Sequence, residues 1–166
     1  MSDLIVERYR LIRPLGQGGS GVTYLADDIL TSEQVVIKQF HMAVQDANSW
    51  SRESKVLRKL SHDRLPRFID SFVHPVMMVP RPHLVQEYIE GQSLRDEIEG
   101  KSYTTQEALS VIAELLEILC YLQSVHPPVI HRDIKPSNVL RSAVDGRLCL
   151  IDFGAAVSAE NRTFGH

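Results

Sequence analysis

The stretch His131-Arg132-Asp133-Ile134-Lys135-Pro136-Ser137-Asn138, followed downstream by Asp152-Phe153-Gly154, decides how this chain is read. Asp133 is an acid able to orient a hydroxyl and receive its proton. Lys135 places a cation two residues further on. Asn138 offers a neutral oxygen and Asp152 a charged one, the hard ligands that suit Mg2+ and leave no case for zinc. Asp-x-Lys-x-x-Asn alone is also compatible with a solvated loop. Arg147-Leu148-Cys149-Leu150-Ile151 reads as a short strand that delivers Asp152.

Towards the N-terminus lies the glycine loop Gly16-Gln17-Gly18-Gly19-Ser20-Gly21, entered by Tyr9-Arg10-Leu11-Ile12. A dinucleotide-binding turn requires a helix after the last glycine. Val22-Thr23-Tyr24-Leu25 is β-branched and strand-like instead, which excludes that turn. A glycine loop folded between two strands can lay backbone N–H groups over a triphosphate; taken alone, the motif fits an ordinary glycine-rich hairpin as well. Gln34-Val35-Val36-Ile37-Lys38-Gln39-Phe40 is the next strand, with Lys38 in a buried pattern.

A helix is expected over roughly 46–60 from the spacing of Trp50, Val56, Leu57 and Leu60. Glu53 lies three residues after Trp50 and four before Leu57, so its carboxylate shares the apolar face. A buried charge is costly without a partner. Glu53 therefore calls for a cation and Lys38 for an anion, and a Lys38–Glu53 pair answers both. The alternative is that Lys38 snorkels to solvent and Glu53 bonds locally.

Two further strands are expected at 67–73 and 84–88, with His74–His83 and its three prolines as the loop between them. Residues 89–94 break the pattern and read as a hinge between two lobes. A long helix is expected from Thr105 to Ser124, opened by a Thr104/Glu107 capping box and closed by Pro127-Pro128. Leu109, Ile112, Leu115, Leu116, Leu119 and Leu122 form its apolar stripe.

The net charge of −3, with Lys and Arg interleaved among acids, gives no nucleic-acid patch. No apolar run approaches the roughly 18 residues that a spanning helix needs, and the first residues are not those of a signal peptide. Cys120 and Cys149 sit in apolar runs and read as buried free thiols, which suits a reducing, cytoplasmic compartment.

Taken together, the glycine loop, Lys38, Glu53, the catalytic-type loop and Asp152-Phe153-Gly154 resemble the protein kinase superfamily, in the bacterial branch of its Ser/Thr kinases. Lys135-Pro136 is similar to Ser/Thr rather than tyrosine kinases. The resemblance covers nearly all of 9–157. It implies an α+β, protein-kinase-like two-lobe fold: a complete antiparallel β N-lobe with one helix over 1–88, a hinge over 89–94, and an incomplete helical C-lobe over 95–166.

It further implies ATP and Mg2+ as cofactors and a protein substrate with a Ser or Thr acceptor. Lys38, held by Glu53, would face the α- and β-phosphates. Asp133 would be the base, Lys135 would neutralise the γ-phosphoryl, and Asn138 and Asp152 would hold Mg2+. Gly16, Gly18 and Gly21 would cover the phosphates. Leu15, Thr23, Val36 and Leu140 would line the adenine slot, with Gln86 as gatekeeper and the Glu87 and Ile89 backbones binding the base.

The chain departs from the family pattern at Thr23, where Val is usual, at Val36, where Ala is usual, and at Ser20, where an aromatic is common. These changes reshape the pocket and remove no essential group. No Ala-Pro-Glu motif follows Gly154, so the helices that complete the large lobe are expected to be missing, along with the partners of the Thr105–Ser124 helix. That lobe would then be completed by a missing C-terminal region or by a partner. A nucleotide-binding pseudokinase or scaffold without phosphotransfer and a gene remnant stand as alternatives to an active kinase. Ser158 and Thr163 lie where activation-segment phosphorylation often occurs, and both read as exposed residues of a frayed tail.

Overall fold

The computed structural model describes residues 4–41 and 49–159, with only the backbone of Ser49. These residues divide into two compact units. One takes the described part of Met1–Lys55 with Arg67–Tyr88; the other takes Val56–Pro66 with the described part of Ile89–His166.

The first unit is built on β1 (Leu4–Ile5), β2 (Tyr9–Gly18), β3 (Gly21–Asp28), β4 (Glu33–Phe40), the first turns of α1 (Ser49–Leu57), β5 (Phe68–Val76) and β6 (Val79–Glu87). The strands form one antiparallel sheet in the order β1-β2-β3-β4-β6-β5. Side chains alternate across it. Val35 and Ile37 of β4 point with Ala26 and Val85 into a core that includes Ile5 and Tyr9. Val36 and Lys38 take the opposite face.

The expected His74–His83 loop is instead the body of a hairpin, with strands that run to a two-residue turn at Met77-Met78. Prolines there read as breakers, but a proline disturbs a sheet only where its N–H would enter a ladder. β5 is an edge strand, and beyond His83 strand β6 pairs with no other strand among the described residues, so Pro75, Pro80 and Pro82 are tolerated. Helix α1 ends at Leu57 rather than at Leu60. The Lys59 and Leu60 N–H groups turn back to the Val56 and Leu57 carbonyls at 3.0 and 3.1 Å, tightening the exit. Its expected start at Asp46 lies outside the described residues.

The second unit contains β7 (Gly91–Ser93), α2 (Leu94–Gly100), α3 (Thr105–Ser124), β8 (Val129–Ile130), a 3-10 turn (Pro136–Asn138), β9 (Val139–Ser142), β10 (Leu148–Leu150) and β11 (Val157–Ser158). β7, β9 and β10 make a three-stranded sheet with β9 central, and β8 pairs with β11. The segment expected as a hinge thus contains a strand. A Cβ on Gly91 would strike the Arg141 carbonyl oxygen, so only glycine allows β7 and β9 to approach this closely. Ser93 then caps α2, accepting the Asp96 N–H at 3.2 Å.

Helix α3 spans the expected residues and its capping box is formed: Thr104 Oγ1 accepts the Glu107 N–H, and the Glu107 carboxylate accepts the Thr104 N–H. Its apolar stripe is divided. Leu122 is buried, as is Ile118 from outside the expected stripe; Leu115 and Leu119 are half-buried, while Leu109, Ile112 and Leu116 are 55%, 52% and 54% exposed. Cys120, expected to be buried, is exposed; Cys149 is buried in β10. Ser158 lies in no frayed tail: it pairs with Val129, and its Oγ is buried with no hydrogen-bond partner among the described residues. Thr163 lies outside the described residues. Among the described residues, no helix is long and apolar enough to cross a membrane.

Candidate active site

In the first unit the register sets the geometry. Directly opposed residues of an antiparallel ladder share a face. Thr23 stands opposite Lys38, and Lys38 opposite Leu84; Leu25 stands opposite Val36, and Val36 opposite Gln86. Thr23, Val36, Lys38 and Gln86 therefore present to the same side. Leu15 falls in a register shift between Pro14 and Gly16 and is left half-exposed.

Lys38 Nζ donates to both carboxylate oxygens of Glu53, at 3.1 and 2.9 Å. The side chains are 13% and 2% exposed, so the pair is almost dry. The helix spacing of Glu53 and the strand position of Lys38 each called for this partner. The Lys38 ammonium also lies 5.4 Å from the Phe40 ring centroid.

The three glycines differ. Among the described residues, Cβ atoms on Gly16 and Gly18 would meet nothing within 4 Å, so the packing of those residues does not require glycine there. A Cβ on Gly21 would collide with the Gln39 carbonyl oxygen. Gly21 is needed for β3 to lie on β4. Glu87 closes β6, with its N–H donated to the Arg67 carbonyl at 2.9 Å, and Ile89 follows β6 in irregular backbone.

In the second unit Asp133, Lys135 and Asn138 meet around one carboxylate. Lys135 Nζ donates to Asp133 Oδ2 at 2.7 Å, and Asn138 Nδ2 donates to the same oxygen at 3.0 Å and to the Asp133 carbonyl at 2.9 Å. Asp133 Oδ1 accepts nothing among the described residues. The Lys135 hydrogen bond, joined by that from Asn138, holds the Asp133 carboxyl below the usual Asp range against the opposing effect of desolvation. The Asn138 amide has spent its N–H groups on Asp133, which leaves its carbonyl oxygen as the end for a cation.

His131 organises this loop. Its ring is 2% exposed and packs edge-on to Phe153, centroids 4.8 Å apart. Nε2 donates to the Ile151 carbonyl at 3.1 Å while Nδ1 accepts the Asp133 N–H at 3.3 Å. Only the neutral ring with its proton on Nε2 serves both bonds. Burial, the main cause, pushes its pKa down and keeps it neutral. The Ile151 N–H returns to the Asn138 carbonyl at 2.9 Å, which ties the residue before Asp152 to the loop. Asp152 Oδ1 accepts the Gly154 N–H at 3.3 Å. Leu140 lies half-buried in β9.

Arg132 and Asp152 have φ of 65° and 62°. Such left-handed backbone is unfavourable for a side-chain-bearing residue and gathers at functional sites. The sequence reading assigned no role to His131, Arg132 or Phe153; His131-Arg132 preceding the acid was the available signal. Arg132 Nε donates to the Ala155 carbonyl. Among the described residues no cluster of three or more His, Cys, Asp or Glu side chains could hold a metal.

The protein kinase domain family matches residues 9–164. The chain is 35% identical over 159 residues to serine/threonine-protein kinase B of Synechocystis sp. (strain ATCC 27184 / PCC 6803 / Kazusa), covering 89% of this chain and 27% of that protein. It is 33% identical over 159 residues to the probable serine/threonine-protein kinase YbdM of Bacillus subtilis (strain 168), covering 92% and 59%. Serine/threonine-protein kinase PknA of Nostoc sp. (strain PCC 7120 / SAG 25.82 / UTEX 2576) is 32% identical over 169 residues, covering 93% and 28%. The chain thus spans between about a quarter and three-fifths of the length of these relatives. A carboxylate clamped by a lysine and an asparagine, a buried lysine–glutamate pair and a glycine loop on β strands all fall within the matched residues, and the chain belongs to the protein kinase domain family.

Proposed function

We propose that this chain carries the nucleotide-binding and phosphoryl-transfer groups of a Ser/Thr protein kinase, with ATP as donor and a protein hydroxyl as acceptor. The observation that carries this reading is the asymmetric Asp133 carboxylate: Oδ2 is held by Lys135 and Asn138, and Oδ1 is left to accept a hydroxyl. The names of the relatives support the choice of Ser/Thr kinase.

Asp133 is ionised at neutral pH, so its task is to align the acceptor Oγ–H and take its proton as the oxygen becomes a nucleophile. Lys135 supplies positive charge beside that oxygen. Lys38, fixed by Glu53, would bind the α- and β-phosphates. Gly16 and Gly18 have the open space above their backbones that a closely approaching phosphate needs. Thr23, Val36, Gln86, Leu15 and Leu140 would contact the base. Glu87 would contribute its carbonyl oxygen, since its N–H is taken by Arg67, and Ile89 its N–H. Asn138 and Asp152 would hold Mg2+, which supplies charge neutralisation to the phosphates. Residues 1–88 serve as the N-lobe, 89–94 as its hinge, and 95–166 as the part of the C-lobe that this chain contains.

Two assays on residues 1–166 test the proposal: a thermal melt with and without Mg·ATP, and phosphate transfer to a generic protein substrate. A ligand bound only by the folded state raises the melting temperature. An upward shift with transfer abolished by Asp133→Ala is expected. A shift without transfer would leave a nucleotide-binding module, and a cooperative melt with no shift would overturn the assignment.

A further inference from the structure

β10 lies at the edge of its sheet, and two of its N–H groups find their partners outside any strand. On the inner side, the Ser142 N–H donates to the Arg147 carbonyl and the Ile151 N–H to the Asn138 carbonyl, at 3.0 and 2.9 Å. Leu148 stands opposite Arg141 and Leu150 opposite Val139, so the alternation of an antiparallel ladder turns the Leu148 and Leu150 N–H groups to the outer edge. Both residues are fully buried, and these donors need acceptors. Glu114 Oε2 of α3 accepts the first at 2.9 Å, and the Arg64 carbonyl oxygen accepts the second at 3.0 Å.

The two acceptors are tied to each other. Arg64 Nη1 donates to the Glu114 carbonyl at 3.3 Å and Nη2 to Glu117 Oε2 at 2.8 Å. The Arg64 N–H is donated to His62 Nδ1 at 3.1 Å, and the Ser61 N–H to the Tyr121 hydroxyl oxygen at 2.7 Å. The residues that follow α1 are thereby fastened to α3, and Arg64, Glu114 and the outer edge of β10 close a circuit of hydrogen bonds. Arg64 is 5% exposed, and its Nε is buried with no hydrogen-bond partner among the described residues. A buried guanidinium with an unpaired N–H is costly. An apolar side chain of similar volume would avoid that cost, so packing alone does not call for arginine at this position.

What this circuit braces is the approach to Asp152. Two residues beyond Leu150, Asp152 has φ of 62°. A residue with a side chain keeps left-handed backbone only where its surroundings over-determine it. The Ile151 N–H bond to Asn138 fixes one side of the approach, and the Leu150 N–H bond to Arg64 fixes the other. We propose that Glu114 and Arg64 are positioning residues for Asp152. They hold the outer edge of β10, and so keep the Asp152 carboxylate where it accepts the Gly154 N–H and can hold a cation. Neither side chain touches nucleotide or metal in this role; both act through the backbone of β10. The role rests on the reading of Asp152 as a Mg2+ ligand.

Amide hydrogen exchange of the whole chain without ligand reads the brace directly. In the parent, the Leu148 and Leu150 N–H groups should be protected like the Ile151 N–H of the ladder to β9. Glu114→Leu should speed exchange at Leu148 and at Gly154 by about tenfold or more. Glu114→Gln, whose amide oxygen can accept the same N–H, should keep parental protection. The second readout is the Mg2+ concentration that half-saturates the rise in melting temperature given by ATP. Glu114→Leu and Arg64→Met should raise it about tenfold, as loss of a partner behind a metal ligand does, and Glu114→Gln should stay within about twofold of the parent. Any shift that ATP gives in excess chelator should be the same in all of them, whereas a general loss of packing would lower both. Rapid exchange at Leu148 and Leu150 in the parent overturns the proposal, and that measurement stands even where a variant does not fold. Parental exchange at Gly154 in Glu114→Leu, an unchanged Mg2+ requirement, or a Glu114→Gln variant as impaired as Glu114→Leu overturns it as well. No Mg·ATP shift in the parent would overturn the Mg2+ reading of Asp152, and this role with it.

Discussion

The Lys38–Glu53 pair allows the structural and functional roles of one ion pair to be separated. Both side chains are nearly out of water, at 13% and 2% exposure. Removing one partner takes from the other charge the ion pair that helps hold it in a poorly solvating environment, at a cost of up to about 3–5 kcal/mol. Glu53→Leu and Lys38→Met should each destabilise the chain by that order in urea melts. Replacing both removes both desolvation penalties, and apolar substitutes for a buried pair are often neutral or stabilising by about 1–4 kcal/mol. Lys38→Met/Glu53→Leu should thus cost less than the two single variants summed, with a coupling of up to about 3 kcal/mol, the upper end of what contacting residues show. The stabilisation by Mg·ATP should not recover in the double variant, because no ammonium remains for the phosphates. Single variants that each cost under about 1 kcal/mol would place the pair among solvent-screened bridges and refute the burial argument. A double variant that folds and still shifts with Mg·ATP would refute the phosphate role of Lys38.

Three further outcomes are expected. Asp133 is held below its usual range first by the Lys135 hydrogen bond, so its carboxylate persists as pH falls, and the acid limb that protonation of Asp133 sets on phosphotransfer should lie below that of an ordinary Asp. Lys135→Met should move that acid limb upward in a pH–rate profile, and an unmoved limb would break the link. His83 is fully buried, and burial lowers its pKa from 6.5 to about 4. The unfolded chain then binds the extra proton between those values, so the stability His83 contributes is complete above pH 6.5 and is lost as pH falls towards 4. The loss amounts to about 3 kcal/mol at 1.36 kcal/mol per pH unit. Denaturation of the parent and of His83→Phe at several pH values should show a shallower slope in the variant, and equal slopes would contradict the assignment. Gly18→Ala should weaken Mg·ATP binding without lowering the melting temperature in its absence, whereas Gly21→Ala should lower both, as read by paired melts.

Residues whose chemistry conflicts with their position were the readable part of this sequence. Glu53 on an apolar helix face and Lys38 in a buried strand each demanded an opposite charge, and one contact met both demands. The Thr104/Glu107 capping box was equally readable, because it closes within one turn and needs nothing from the rest of the chain. Elements set by distant partners were not readable. β7, β8 and β11 are two or three residues long and exist because of register with strands far away in sequence. The proline-rich hairpin looked like a loop because sequence does not say which N–H groups face a neighbour. The helix stripe could be seen, but not which of its leucines would be covered.

The glycine loop shows the same boundary within one motif. Read as a pattern, Gly16, Gly18 and Gly21 have one purpose, to let backbone approach phosphate. The coordinates divide them, since Gly21 is fixed by the Gln39 carbonyl whereas Gly16 and Gly18 face open space. A residue held by packing should be required whether or not nucleotide is bound. A residue with no described protein neighbour has room for a side chain, as Gly19 and Gly100 also have, so open space alone does not call for a ligand. Substitution at Gly16 or Gly18 can therefore report on the proposed nucleotide without disturbing the packing, whereas substitution at Gly21 cannot.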